Sequence, residues 1–313
     1  MSRFGFVWGR TLQAIPVVLG VTIISFFVLR LIPGDPTSVL LGTHWTPARA
    51  AHLRANLGLN KPIWEQYYLF MDHLFHGNLG SSIYYGRPVS SLIVERLPVT
   101  LWLAAYSTVI AIAISVPLAT ISALRRDRVV DQSIRATFLL AFAMPPFWVG
   151  LVLILLLNLH FHLFPVAGYG SGFLDHLYKL FLPSLTIALG FAAILIRTLR
   201  NGILGILNAD FIDTARAKGL SRRRLLVRHV LRNAMLSAVT VLGVNLSYLI
   251  GSTVVIENVF ALPGLGQMLA SSIFTRDLSV VQGITLVFGT FVVVITLLTD
   301  IAYAVLDPRV AYD

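Results

Sequence analysis

Long, uninterrupted apolar stretches are the feature that most constrains this chain. Six of them are long enough to cross the roughly 30 Å hydrocarbon layer of a bilayer as a helix. Hydrophobic residues make up 57% of the 313 residues, charged residues only 12%, and the mean hydropathy is +0.81. Because soluble domains carry about 25% charged residues, the sequence predicts an all-α membrane protein. The six predicted spans are Thr11–Leu31, Val99–Ile121, Ile134–Asn158, Phe181–Ile196, Ala234–Ile256 and Val280–Leu306.

The basic residues indicate how these spans are oriented. Six spans place both termini on the same side of the membrane, and on that side lie 16 of the 24 Lys and Arg residues. Basic residues concentrate in cytosolic segments, so we expect both termini in the cytosol, with 307–313 as a cytosolic tail. The same distribution explains a pI near 10.3 without nucleic acid as a partner.

The segment between the first two spans, 32–97, is predicted to be a small folded element outside the membrane. Thr46 can cap a helix that begins at Pro47 and ends before Gly58. A second, amphipathic helix would end at Gly77 and carry its apolar face on Ile63, Tyr67, Phe70, Met71 and Leu74. A helical cover on the spans and a role in handling substrate both remain open. We divide the chain into an N-terminal part, 1–97, and a membrane core, 98–306.

Several kinds of chemistry are excluded or weakly supported. The chain has no cysteine, so thiolate metal sites and Cys nucleophiles are excluded. No phosphate-binding P-loop, H-E-x-x-H or G-x-S-x-G motif occurs, so we predict no catalytic residue, no enzyme activity and no bound cofactor. The histidine pairs His73/His76 and His160/His162 lack further ligands, and we expect ordinary surface histidines rather than a metal site.

A basic polar segment, Asp210–Asn233, interrupts the apolar pattern. Asn208 can cap a short helix that runs to Lys218, and Gly219 can adopt the left-handed conformation that ends it. On this helix Phe211 and Ala215 would share a face, while Asp213, Arg216 and Lys218 point elsewhere. Ser221 can cap a second helix, Arg222–Asn233. Such a segment is typical of a topology-setting loop, or of a docking surface where Thr214, Ala215 and Ala217 let a partner approach closely.

Motifs along the whole chain narrow this choice. Asp213-Thr214-Ala215, three residues and then Gly219 resemble the Glu-Ala-Ala-x3-Gly loop of permease subunits in binding-protein-dependent ABC importers. Thr214–Leu220 (TARAKGL) is similar to the peptide/nickel branch of that family. The other segments that resemble this branch are Leu31–Pro36, Leu57–Leu59 with Pro62, Gly77–Gly80, Leu182–Leu185, His229–Ala234, Glu257–Phe260, Pro263–Gly266 and Leu306–Arg309. Asp213, Thr214, His229 and Arg232 depart from the general family pattern in ways usual for the peptide branch.

The resemblance implies a type I ABC importer permease fold in the bacterial inner membrane. It also implies a second homologous permease subunit, two cytosolic ATPases that bind the ATP, and an extracytoplasmic solute-binding protein. The loop would insert into a groove of an ATPase subunit. Its contact core would be Phe211, Asp213, Thr214, Ala215 and Gly219, with Arg216 and Lys218 as charge partners.

The transported solute would be a di- or oligopeptide, with nickel or metal chelates and glutathione as alternatives within the family. Asn245, Ser247 and Tyr248 in the fifth span can line a polar path, or join helices to each other. An alternative of a different class is a self-sufficient secondary transporter or channel. That alternative normally needs ionisable groups deep in the membrane, whereas Asp300 lies near one end of the sixth span.

Overall fold

The computed structural model describes residues 3–31, 37, 41–42, 45–56 and 58–306. The predicted tail 307–313, most of the Leu31–Pro36 motif and Leu57 lie outside the described residues. Helices dominate the rest, and among the described residues extended pairing is limited to one isolated bridge, Ser81–Pro88. In chain order the helices are α1 Arg3–Leu31, α2 Pro47–Asn56, α3 Ile63–Phe75, α4 Val89–Leu124, α5 Val129–Ala143, α6 Pro146–Leu153, α7 Phe173–Lys179, α8 Phe181–Leu207, α9 Asp210–Ala217, α10 Arg222–Arg224, α11 Arg232–Val259, α12 Leu265–Phe274 and α13 Leu278–Leu306.

Four helices in the described residues are long and apolar enough to cross a membrane. These are α4, α8, the Ala238–Val259 part of α11, and the Leu278–Ala302 part of α13. They match the predicted second, fourth, fifth and sixth spans. The apolar stretch described in α1, Thr11–Phe27, is shorter. The protein is therefore a mostly helical bundle with four to five candidate spans, and the count of six stays a prediction.

The predicted third span is not one straight helix. α5 and α6 meet at an angle of 107°, and the break falls at Met144, whose backbone is extended (φ −82°, ψ 137°). Pro145 explains the break, because its ring disfavours the helical conformation of the residue before it. Pro146 then occupies the first turn of α6, where its missing N–H costs nothing. A π-helical segment, Ile154–His160, continues from α6.

A buried ion pair lets α8 run past its predicted end. The helix continues beyond Ile196 to Leu207, and it carries Arg200 into the interior. The Arg200 Nε and Nη2 atoms donate to the two carboxylate oxygens of Asp131, over 2.8 and 2.5 Å. The Ser122 hydroxyl and the Asp127 backbone N–H also donate to this carboxylate. Because Asp131 lies in the first turn of α5 and Ser122 in the last turn of α4, this ion pair joins three helices.

A second buried carboxylate organises the opposite half of the bundle. Glu257, near the end of α11, is fully buried and accepts hydrogen bonds from the Thr100 hydroxyl (2.7 Å) and from the Gln267 N–H (2.9 Å). Thr100 in turn accepts from the Leu265 N–H. Free N–H groups and the helix dipole at the start of α12 favour a negative charge there. The carboxylate thus joins α4, α11 and α12.

The segments between α1 and α4 pack on the helical bundle. The predicted cap at Thr46 is confirmed, since its Oγ1 accepts the Arg49 N–H at 3.3 Å, and Gly58 has φ +66°. α3 lies against α1, where the Tyr67 hydroxyl bonds Thr22 at 2.8 Å and its ring meets Phe26 edge-on. The Ser82 hydroxyl donates to Asp277 at the α12–α13 turn. α3 and the segment before α4 are therefore packed on the bundle, and a role in handling substrate stays open.

A substitution at Gly266 tests the packing around Glu257. A Cβ atom added there would lie 2.5 Å from the Val254 Cα atom, and backbone cannot move aside as a side chain can. We expect Gly266→Ala to lower the free energy of unfolding by roughly 1–3 kcal/mol, as overpacking does. The control is Gly251→Ala, since its Cβ would meet nothing within 4 Å. The measurement is the thermal midpoint of the purified complex, and equal midpoints for the two variants would contradict this packing.

Asp131→Ala tests the ion pair. It would leave the Arg200 guanidinium buried without its carboxylate, which typically costs about 3–5 kcal/mol. Glu95→Ala is the matched control, because it removes an exposed pair with Arg87 of a kind worth about 1 kcal/mol or less. We expect the thermal midpoint to fall sharply for Asp131→Ala and to change little for Glu95→Ala. A similar small shift in both would show that the buried pair does not hold these helices together.

Candidate functional site

The segment predicted to dock on the ATPase, 211–219, is called the coupling loop below; most of it belongs to a short helix, α9, which lies between α8 and α10 in the chain. α9 starts after Ala209, which has extended backbone (φ −85°, ψ 141°). The predicted cap at Asn208 is wrong, because Asn208 still belongs to the last turn of α8 as its C-terminal cap. Gly219 follows the end of the helix in the predicted left-handed conformation, with φ +73°. Its N–H donates to the Arg216 carbonyl at 2.9 Å. A residue in the left-handed conformation at this position lets N–H groups after the helix donate hydrogen bonds to its last carbonyl groups.

α9 has one buried and one exposed face. Ile212 is fully buried and Ala215 nearly so, whereas the Phe211 side chain is 45% exposed. Phe211 and Ala215, four residues apart on this helix, remain neighbours on its surface, but they differ in burial, and Ile212 rather than Phe211 takes the inner position. The i, i+3 spacing of Ile212 and Ala215 was the available signal for this face. An exposed phenylalanine on a polar helix is a side chain that a partner protein can bury.

The polar side chains of α9 are arranged on its outer face. Arg216 Nη1 lies 3.0 Å from Asp213 Oδ1 in an exposed ion pair, and the Thr214 hydroxyl donates to the Asp210 carbonyl at 3.2 Å. Lys218 is exposed. Exposed pairs of this kind contribute little to stability. Asp213, Arg216 and Lys218 are therefore available for contacts with another molecule.

The inner face of α9 joins a hydrophobic core shared by four other helices or helical segments. Ile212 and Ala215 belong to one buried cluster with side chains of α4, α8, α11 and the π-helical segment Leu225–Leu231; its other members are Ala119, Ala123, Ala192, Ile196, Leu199, Ile203, Leu225, Val230, Ala234 and Ala238. The Asp131–Arg200 ion pair joins α4, α5 and α8 in the same region of the fold. Because close-packed interiors transmit displacement, a force on α9 would act on all of these helices.

The second predicted helix of the loop is not a regular α-helix. Ser221 does precede it, but no hydrogen bond from its side chain caps the helix. After one turn, Arg222–Arg224, the backbone becomes π-helical over Leu225–Leu231 and then continues into α11. π-helical insertions often occur at functional sites. The basic side chains Arg222, Arg223 and Arg224 are all exposed.

Two of the three predicted path residues line a cavity. The cavity has a volume of about 360 Å³ and lies between α5, α6, α8 and α11. Asn245 and Tyr248 line it together with Ser252, whereas Ser247 does not. Ser247 instead donates to the Gly243 carbonyl within α11 at 3.4 Å. Tyr248 is 74% exposed.

A second, larger cavity adjoins the first. It has a volume of about 880 Å³, and Phe142 and Ile194 form part of the wall of both cavities. It extends along α5 and α8 as far as Asn208, next to the start of α9. The two cavities together are called the groove below. The groove thus connects Asn245 and Tyr248 with the end of α8 that carries the coupling loop.

Sequence reasoning missed the ionisable residues that the structure buries. Asp131, Arg200 and Glu257 lie just outside the predicted spans, where a charged residue indicates that the apolar segment has ended. Their burial depends on partners from distant parts of the chain, so local pattern gives no signal for it. Asp300 is half-buried on α13. Within the described residues, no group of three or more His, Cys, Asp or Glu side chains could hold a metal ion.

Comparison with known proteins identifies the family. Residues 115–312 match the family described as "Binding-protein-dependent transport system inner membrane component", and residues 1–104 match its N-terminal companion family. The oligopeptide transport system permease protein AppB of Bacillus subtilis (strain 168) is 39% identical over 97% of this chain and 98% of its own length. The dipeptide transport system permease protein DppB of Escherichia coli (strain K12) is 34% identical, with 98% of each chain covered.

Solved structures share the fold. A chain of the inward-facing MetNI methionine ABC transporter matches with a TM-score of 0.56 and 17% identity, over 69% of this chain and 96% of that one. A chain of an amino acid ABC transporter matches with a TM-score of 0.51 and 14% identity, over 70% and 94%. Permeases of this family work with separate ATPase subunits and a solute-binding protein. The chain therefore belongs to the binding-protein-dependent transport system inner membrane component family, and it is a multi-pass inner-membrane permease subunit of an ABC importer rather than an enzyme.

Proposed function

We propose that this chain carries short peptides across the inner membrane as one of two homologous permease subunits. Two ATPase subunits in the cytosol bind and hydrolyse the ATP, and a solute-binding protein outside the membrane delivers the peptide. The observation that carries the proposal is the similarity over nearly the whole chain to the oligopeptide and dipeptide permeases AppB and DppB. The exposed outer face of α9 supports it as the place where the ATPase docks.

The proposed topology has six spans with both termini in the cytosol. In this topology α9 lies in the cytosol, and the helical cover that α3 contributes lies outside. The proposed division remains an N-terminal part, 1–97, a permease core, 98–306, and a cytosolic tail, 307–313. It agrees with the separate N-terminal family match over residues 1–104.

The docking contacts would be made by the exposed side of the coupling loop. Phe211 is the side chain that a hydrophobic groove of the ATPase can bury, and buried aromatic anchors commonly dominate interface energy. Asp213, Thr214, Arg216 and Lys218 surround it with polar contacts. Ala215 acts from the inner face by holding α9 on the core, and Gly219 ends the helix so that the chain turns away. The proposed contact core thus keeps all the predicted residues, but two of them, Ala215 and Gly219, act by shaping the loop.

The proposed coupling is mechanical. Closure of the ATPase pair displaces α9, and the shared core around Ile212 passes this displacement to α4, α8 and α11. The Asp131–Arg200 ion pair makes the start of α5 move with them. The break at Met144–Pro145 then lets α5 and α6 change their mutual angle without breaking helical hydrogen bonds. Access to Asn245 and Tyr248 from one side of the membrane would change as a result.

The substrate path proposed here follows the groove. Asn245 and Tyr248 supply polar contacts in its smaller cavity, and Ser252 lies with them. Ser247 lines neither cavity, so it keeps its predicted role only if α11 rotates. A cavity volume of several hundred Å³ is of the size that small-molecule sites normally have. This agrees with a short peptide as the cargo.

Reconstitution tests the function. The chain would be placed in proteoliposomes with its partner permease, both ATPases and the binding protein. We expect labelled di- or oligopeptides to accumulate only when ATP is present. Accumulation of glutathione or of a nickel chelate, but not of peptides, would contradict the proposed substrate class. Solute flux through this chain alone, without the ATPases, would instead indicate a secondary transporter or channel.

Gly219→Glu tests the coupling loop. A side chain at φ +73° strains the backbone by about 1–2 kcal/mol, and the added carboxylate would sit in the docking surface. We expect ATP-driven uptake to be lost and the ATPase no longer to copurify with the permease. Gly77→Glu is the control, because Gly77 has φ +70° and, like Gly219, has no atom within 4 Å of an added Cβ.

A second variant separates docking from folding. Phe211→Ala removes the exposed ring but leaves the buried face of α9 intact. We expect weaker ATPase association, by about 2 kcal/mol or more, with an unchanged thermal midpoint of the permease pair. Normal uptake and assembly in both Gly219→Glu and Phe211→Ala would refute the docking surface.

A further inference from the structure

The end of the groove nearest α9 is strongly basic. Four arginines line the larger cavity, and a single acidic side chain, Asp127, lies among them; the arginines are Arg126, Arg135, Arg197 and Arg200. Amide side chains complete the polar part of the lining, namely Gln132, Asn201 and Asn208. We call this end the basic mouth. The residues that line the cavity beyond the basic mouth, toward Phe142, are apolar.

Two of the four arginines are already neutralised. Arg200 is held by the Asp131 carboxylate, and Arg126 lies 3.1 Å from Asp127. The side chains of Arg135 and Arg197 are exposed. Across the part of the chain that the structure describes, neither has an acidic side chain within 4.0 Å. The basic mouth therefore presents two guanidinium groups from two facing helices, α5 and α8, and both remain available to an anion.

The walls beyond the basic mouth are apolar and then polar again. From Arg135 and Arg197 the larger cavity continues past Phe138 and Leu139, and through the shared wall it reaches Asn245 and Tyr248. A ligand that follows this course meets cations first, apolar side chains next and neutral polar groups last. A short peptide has this pattern, with a terminal carboxylate, apolar side chains and backbone amides.

We propose that Arg135 and Arg197 form a carboxylate-binding subsite for the transported solute, which makes the groove selective for peptides with a free carboxylate at the end that reaches the basic mouth. The proposal rests on the peptide transport proposed above. Guanidinium groups bind carboxylates through paired, charge-assisted hydrogen bonds. The side-chain amides of the basic mouth can donate hydrogen bonds to, or accept them from, the peptide bond next to that carboxylate.

A peptide fits this groove better than an anionic phospholipid does. The headgroup phosphate could pair with the same arginines, but its acyl chains would then extend toward Asn245 and Tyr248. Burying those polar groups against acyl chains without hydrogen bonds is costly. The arginines also contribute to the positive charge that orients the membrane segments, so a test needs control arginines on the same side.

The test is photoaffinity labelling of the assembled permease–ATPase complex without the binding protein. The probe is a dipeptide, alanyl-benzoylphenylalanine, used once with a free carboxylate and once as the C-terminal amide. Omitting the binding protein keeps its own selectivity out of the result. We expect the free acid to label the wild-type permease about tenfold more strongly than the amide, since a hydrogen-bonded charge pair typically changes affinity by that factor.

Paired variants locate the effect. In Arg135→Gln/Arg197→Gln we expect the preference for the free acid to disappear. The control, Arg125→Gln/Arg128→Gln, removes two exposed arginines that do not line the cavity, and its preference should equal that of the wild type. Equal labelling by acid and amide in the wild type, no labelling by the acid, or an unchanged preference in the groove variant would overturn the subsite.

Two further outcomes show whether the subsite or the proposed peptide transport is refuted. If added phosphatidylglycerol, but not phosphatidylcholine, abolishes labelling of the wild type, the basic mouth binds a lipid phosphate and the subsite is refuted. ATP-driven peptide uptake by the wild-type complex, measured in parallel with the binding protein present, tests the proposed function separately. Its absence would refute peptide transport itself, whereas its presence with an unchanged acid preference refutes only the role of Arg135 and Arg197.

Discussion

The ion pair between Asp131 and Arg200 is the contact on which the arrangement of this bundle depends. A charge placed among apolar helices is costly unless it is paired and fully hydrogen-bonded. Asp131 meets that requirement only when the end of α4, the start of α5 and the C-terminal part of α8 come together. Buried pairs of this kind often add little net stability, but they restrict which arrangement of helices is acceptable. Here the permitted arrangement places α9 on a core shared with α4, α8 and α11.

Glu257 applies the same constraint to the other half of the molecule. Its carboxylate accepts hydrogen bonds from Thr100 and from the first turn of α12, and the glycines on either side of Leu265 leave room for it. Asp131 and Glu257 thus each hold three helices together from a buried position. Between them lies the Met144–Pro145 break, where no backbone hydrogen bonds oppose a change of angle. Rigid junctions around a single break form a suitable frame for a transporter that alternates between two states.

Sequence alone predicted the features that depend on local chemistry. Apolar length located α4, α8, α11 and α13, and the small or special residues Thr46, Gly58 and Gly219 marked helix ends correctly. Predictions that required distant partners failed. Arg200 was expected to lie beyond a span, because nothing nearby in sequence shows that Asp131 neutralises it. The break at Pro145 was overlooked because the apolar pattern continues through it. Ile212, rather than Phe211, faces the core because α9 packs on the π-helical segment Leu225–Leu231 and its inner side joins the shared hydrophobic cluster.

We propose that energy from ATP enters this chain through the outer face of α9. The chain contains no cysteine, so one introduced cysteine provides a single labelling position in it. Lys218→Cys would carry a thiol-directed photocrosslinker in the assembled complex, with Arg87→Cys, on the loop before α4, as the comparison and the cysteine-free chain as background. We predict a crosslinked product of the permease and the ATPase subunit from Lys218→Cys only. Absence of that product, or an equal yield from Arg87→Cys, would contradict the account.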